Sequence, residues 1–119
     1  MIAVIFEVWP AEGRKGDYME LAQRLRDDLV HMDGFISVER FQSLTEPDKL
    51  LSLSFWRDEQ AVAAWRNHGP HRATQAKGRS GIFRDYRLRV ASVARDYGMN
   101  ADREQAPADS RQAHAATKA

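Results

Sequence analysis

The sequence predicts an α+β fold with the element order β-α-β-β-α-β, the ferredoxin-like split arrangement on a four-stranded antiparallel sheet. Three observations predict it. The chain opens on an apolar strand closed by a proline; a turn-forming pentapeptide in its middle is flanked by two strand-like runs; and a helical stretch follows the first strand and another follows the third.

Each element has its own physical reason. In residues 2 to 9, Ile2, Val4, Phe6 and Val8 alternate with Ala3, Ile5, Glu7 and Trp9. Both faces are largely apolar, so the strand is expected to be covered on both sides. Pro10 cannot donate to a ladder and ends it. After the glycines at 13 and 16, Tyr18, Leu21, Ala22, Leu25, Leu29 and Met32 recur every three or four residues, which is one apolar helix stripe. Asp17 and Glu20 have the spacing of a capping box, and Gly34 stands where a C′ glycine belongs.

Strands are expected over 35–43 and 50–56, joined through Thr45-Glu46-Pro47-Asp48-Lys49, whose proline presets a turn. Asp58 is a good N-cap for a second helix carrying Ala61, Val62, Ala64 and Trp65. Gly69-Pro70 interrupts it, because proline removes a donor and disfavours helix in the residue before it. A shorter piece from His71 to Lys77, ending at Gly78, resumes the helix, and a last strand runs from Ile82 to Arg95.

The 119 residues allow one domain. Residues 1–97 form it, and residues 98–119 form a polar C-terminal tail without apolar periodicity, either flexible or wrapped around a partner. The 18 basic and 17 acidic side chains nearly cancel, which argues against a nucleic-acid partner. No apolar run is long enough for a membrane span, and the first ten residues read as a strand rather than a signal peptide. Cysteine is absent, which excludes disulfides, thiolate metal sites and a cysteine nucleophile and fits a cytoplasmic protein. Two helices cover only one face of the sheet. The apolar residues on the other face predict a homodimer with the sheets facing each other.

Several strings carry a resemblance: the apolar first strand, Gly34-Phe35, Ser54-Phe55-Trp56 followed by Asp58-Glu59-Gln60-Ala61, then Trp65, the His68/His71 region and Tyr86-Arg87-Leu88-Arg89-Val90. Over about residues 1–95 the chain resembles the antibiotic biosynthesis monooxygenase family of the dimeric α/β-barrel superfamily. The resemblance implies a homodimeric dimeric α/β barrel with a pocket in each subunit between sheet and helices. Some members of that family oxidise electron-rich polyphenols, anthrones or quinols with O₂ and without metal or flavin. Others bind and degrade haem, using an asparagine in strand one, a tryptophan in helix two and a histidine about ten residues later. Trp65 matches that set, whereas Glu7 and Gln75 stand at the other two positions and His71 is the alternative ligand.

The candidate residues each have two readings. Glu7, a lone carboxylate in an apolar strand, is either a general base with a raised pKa or one half of an ion pair with Arg87 or Arg89. Trp65 is either a pocket wall that stacks on a flat ligand or plain core. Asn67, His68 and His71 surround the helix break, where they either line a cavity mouth and move protons or sit in water. Arg84, with Arg87 and Arg89, either binds an anionic group or faces solvent or an interface.

The functional expectation is a monooxygenase without cofactor, acting on a small aromatic hydroquinone, polyphenol or anthrone. Glu7 or His71 serves as base, and Trp65, Asn67, His68 and Arg84 as substrate-binding residues. A non-catalytic ligand-binding or stress-associated dimer on the same scaffold is the alternative, and haem binding a third.

Overall fold

The computed structural model describes residues 1–77 and 81–115. The elements are β1 (Ile2–Pro10), α1 (Lys15–Leu29), β2 (Phe35–Gln42), β3 (Leu50–Trp56), α2 (Glu59–Arg66), α3 (Gly69–Lys77) and β4 (Phe83–Ser92), then a 3₁₀ turn (Arg103–Gln105) and α4 (Ala108–Ala115). The strands form one antiparallel sheet in the order β2-β3-β1-β4, which is the ferredoxin-like α+β topology.

The register decides which residues share a face. β1 pairs with β3 through Val4↔Ser54 and Phe6↔Ser52, and with β4 through Val4↔Val90 and Phe6↔Leu88. Because side chains alternate along a strand, Ile2, Val4, Phe6 and Val8 point the same way as Ser52, Ser54, Trp56 and Leu88. The helices pack here. Val8, Tyr18, Leu21, Leu50 and Ile82 make one core cluster, and Ile2, Leu29, Trp56 and Ala61 make another. Val8 is completely buried, a burial that contributes about 1.5–3 kcal/mol. The opposite face carries Ile5, Glu7, Leu51, Leu53 and Phe55, and none of the buried residues of α1 or α2 joins it.

Several boundaries differ from expectation. α1 begins at Lys15, and Asp17 lies inside its first turn, ion-paired with Arg14 rather than capping. The helix stops at Leu29; Met32 bonds back to Leu29 in a tighter three-residue turn. Gly34 therefore closes that turn, not the helix, with φ of +84°. A Cβ there would lie 2.5 Å from the Ala61 Cβ, so the residue also permits the close approach of α2.

Asp58 does cap α2: its carboxylate accepts from the Ala61 amide at 2.9 Å. The break falls at Asn67-His68, and Gly69-Pro70 open α3, where a missing N–H costs little. The expected stop at Gly78 lies outside the described residues. β4 ends at Ser92 instead of Arg95 because its partner runs out: Ser92 pairs with Ile2, and the next amide, Val93, reaches Met1 O. In the C-terminal segment α4 forms despite the absence of an apolar stripe and buries none of its residues, which fits alanine's intrinsic helix propensity.

Candidate active site

A cavity of about 400 Å³ lies between the helix-side face of the sheet and the helices. Phe6, Val38, Arg40 and Ser52 contribute from the strands; Tyr18, Leu21 and Leu25 from α1; Trp65 from α2; His71 and Gln75 from α3. Its size and mostly apolar wall are those of a small-molecule site. Two sheet residues hold the wall in place: the Trp56 indole donates to buried Ser54 Oγ at 2.9 Å, and two residues apart on one strand they share a face.

Trp65 is the centre of an aromatic cluster. Its ring stacks with Trp56 (6.4 Å between centroids), with His68 (5.6 Å) and with His71 (4.4 Å, 19° between planes). The helix break produces this arrangement. Where α2 ends, the Trp65 carbonyl has lost its helical partner, and it accepts from the His68 amide and from His71 Nδ1 at 3.0 Å. A carbonyl only accepts, so Nδ1 carries the proton and Nε2 of the neutral ring is left as an acceptor. Burial holds the pKa of His71 below its ordinary 6.5, against the opposing pull of that carbonyl, so the neutral ring prevails at pH 7.

Glu7 is not in this cavity. It lies on the other face of the sheet, where its carboxylate is bridged by Lys49 Nζ at 2.5 Å and by the Arg89 guanidinium. These contacts, the Lys49 hydrogen bond first, lower its pKa instead of raising it. The ion-pair reading of Glu7 therefore describes its surroundings, with Arg89 as the strand partner and Lys49 as a second. Arg84 also lies elsewhere, in a surface depression with Trp9 and Asp85 next to the bulge at Trp9/Pro10. Asn67 is exposed; its amide donates to Ala63 O and its Oδ1 accepts from Arg72. It steadies the break and does not line the cavity, and His68 reaches the site only by stacking on Trp65.

Sequence reasoning missed Arg40. Its register partner Ser52 puts it on the helix side. Its guanidinium lies beside the Tyr18 hydroxyl, and its Nε is buried without a hydrogen-bond partner among the described residues. Burial raises the Tyr18 pKa, with Arg40 pulling the other way. The signal lay in the two-residue alternation, but only the tertiary fold tells which half of it points inward.

Among the described residues no three His, Cys, Asp or Glu side chains gather to hold a metal, and no helix is long and apolar enough to cross a membrane. The three positions of the haem-degrading branch are not assembled: Trp65 lines the cavity, Gln75 stands at the ligand position, and Glu7 faces away. The residues present do not fit the haem-degrading set.

Comparison with known proteins gives a consistent result. The family model described as antibiotic biosynthesis monooxygenase matches residues 1–77. A protein of Pyricularia oryzae named jasmonate monooxygenase ABM is 46% identical over 93 residues, 78% of this chain and 43% of that protein, so the chain spans less than half of it. The uncharacterized protein YqjZ of Bacillus subtilis is 37% identical over 94 residues, 78% of this chain and 79% of its own. The structure of Rv0793 from Mycobacterium tuberculosis superposes with a TM-score of 0.74 at 16% identity, covering 82% of this chain and 98% of that one, a likeness of fold.

Proposed function

The chain belongs to the antibiotic biosynthesis monooxygenase family, and from that premise we propose that it is a monooxygenase without a cofactor, acting on a small electron-rich aromatic molecule in the helix-side cavity. The substrate class is a hydroquinone, polyphenol or anthrone. One observation carries the reading: His71, neutral and tautomerically set by the Trp65 carbonyl, lies at the wall of an apolar cavity and stacks on Trp65, which lines the same cavity.

For an anthrone the chemistry runs as follows. His71 Nε2 takes a proton from the ring CH₂, leaving a carbanion that is a good one-electron donor. Electron transfer to O₂ and recombination form a carbon–oxygen bond as a peroxide, which takes up the proton. Loss of water then leaves a ketone. One oxygen atom ends in the product and the other in water, so R₂CH₂ and O₂ balance R₂C=O and H₂O without an external reductant. The protein's contribution is the base and a water-poor enclosure.

We infer further that the molecule is a cytoplasmic homodimer joined sheet to sheet. Ile5, Leu51, Leu53 and Phe55 on the open face are only part-buried, and Phe41 beside them is 41% exposed. A second copy of the same face would cover them about a two-fold axis.

Oxygen uptake by chelator-treated protein tests the activity, with hydroquinones, catechols and anthrones each run beside its own autoxidation. Jasmonate is added because the Pyricularia relative is named for it. Uptake above background is expected, with His71→Ala lowering turnover by about 10²–10⁴-fold and Glu7→Gln leaving it unchanged. Uptake at the autoxidation rate across the panel, or full turnover by His71→Ala, overturns the reading.

A further inference from the structure

We propose that Arg40 binds an acidic group of the ligand, so that the cavity prefers an electron-rich ring compound that also carries a carboxylate, such as a carboxylated hydroquinone or anthrone, over the same ring without one. The inference rests on reading the cavity as the substrate site. Arg40 stands on β2 opposite Ser52, which in turn faces Phe6 of β1, and the guanidinium is thereby aimed into the space under the helices. Arginine keeps its charge in any protein interior, and a part-buried cation is costly unless something answers it. Here nothing does. No Asp or Glu among the described residues lines the cavity, and none of the ion pairs of the described residues includes Arg40. Its Nε is buried and unpartnered, next to the Tyr18 hydroxyl. A buried donor left open in an otherwise well-partnered structure calls for a specific acceptor.

The chemistry favours a carboxylate. A planar guanidinium matches a carboxylate with two parallel hydrogen bonds, and the Tyr18 hydroxyl can donate a third. A phosphate would bring more charge and more acceptors than one arginine and one hydroxyl satisfy inside an apolar wall. Two further arginines, Arg66 and Arg72, line the cavity from exposed positions on α2 and α3, and Arg72 is engaged by Asn67 and Gln75. From there they draw anions toward the opening without competing for the seat.

The test is binding, read by quenching of tryptophan fluorescence, with 2-naphthoate, 2-naphthamide and 2-naphthyl phosphate as probes. The naphthoate is expected to bind about tenfold tighter than the amide, as one charge-assisted contact would give. Arg40→Gln should abolish that preference, Arg40→Lys restore part of it, and Arg84→Gln, away from the cavity, leave it in place; far-UV circular dichroism checks that each variant is folded. Equal binding of naphthoate and amide by the unaltered protein overturns the proposal. So does a preference undiminished in Arg40→Gln, or phosphate binding tighter than naphthoate. Because binding is measured without turnover, the preference can stand while oxygen uptake fails, in which case only the monooxygenase reading falls.

Discussion

Glu7 and His71 show how a residue's surroundings decide its chemistry. Both are titratable, and both were candidates for the base. Glu7 lies against Lys49 and Arg89, which hold its charged form down to lower pH and leave it a weak proton acceptor. His71 lies under Trp65, where burial disfavours the imidazolium and the carbonyl bond selects the tautomer. A sign follows. Since the pKa of His71 is below 6.5, the neutral ring predominates at pH 7 and protonation is displaced to lower pH than in a free histidine. Turnover is therefore expected to fall on acidification, with a midpoint below that of a free histidine. A pH–rate profile whose acid limb has its midpoint above 6.5 would rule out His71 as the titrating base.

Among the elements, the step from α1 into β2 and the break between α2 and α3 position the site. The first depends on Gly34, where a positive φ and the approach of Ala61 coincide. Gly34→Ala should cost about 1–3 kcal/mol in urea unfolding, because the alanine meets both backbone strain and the Ala61 Cβ. Gly16→Ala is the matched control: it lies in the first turn of α1 with open space around it, and should be neutral or stabilise by up to about 1 kcal/mol. Equal effects at the two positions would refute the account of Gly34. The second step needs no special residue conformation. Asp58 starts α2, the chain leaves the helix at Asn67, and the freed Trp65 carbonyl becomes the anchor for His71.

At the scale of the whole molecule, the sheet is finished on one face only. The radius of gyration is 17.6 Å, against about 13–14 Å for a compact chain of this length. The C-terminal segment makes its own contacts: Arg103 packs over Tyr97, Gly98 bonds to Ala101 O, and Gln105 accepts from the Asp96 amide. In the proposed dimer a second copy covers the open face. Sedimentation should give twice the chain mass, and Leu53→Asp, at the middle of that face, should give single chains that retain 2-naphthoate binding. A monomeric unaltered protein would exclude the dimer.

Much of the fold was legible in residues 1–95. The alternation of β1, the stripe from Tyr18 to Leu29, the turn around Pro47 and the cap at Asp58 each act over a few residues, and each appears in the structure where its local chemistry put it. Trp65 and His71 were legible as well, because a helix break next to aromatic and titratable side chains is a local signal. The orientation of Glu7 and Arg40 was not. A strand repeats every two residues, so the sequence states that Glu7 and Phe6 point oppositely, and likewise Arg40 and Phe41, but not which of each pair faces the helices. That choice is made when α1, α2 and α3 pack on one side of the sheet. It sends a carboxylate out to two cations and brings an arginine in beneath them, and with that exchange the chemistry of the cavity is decided.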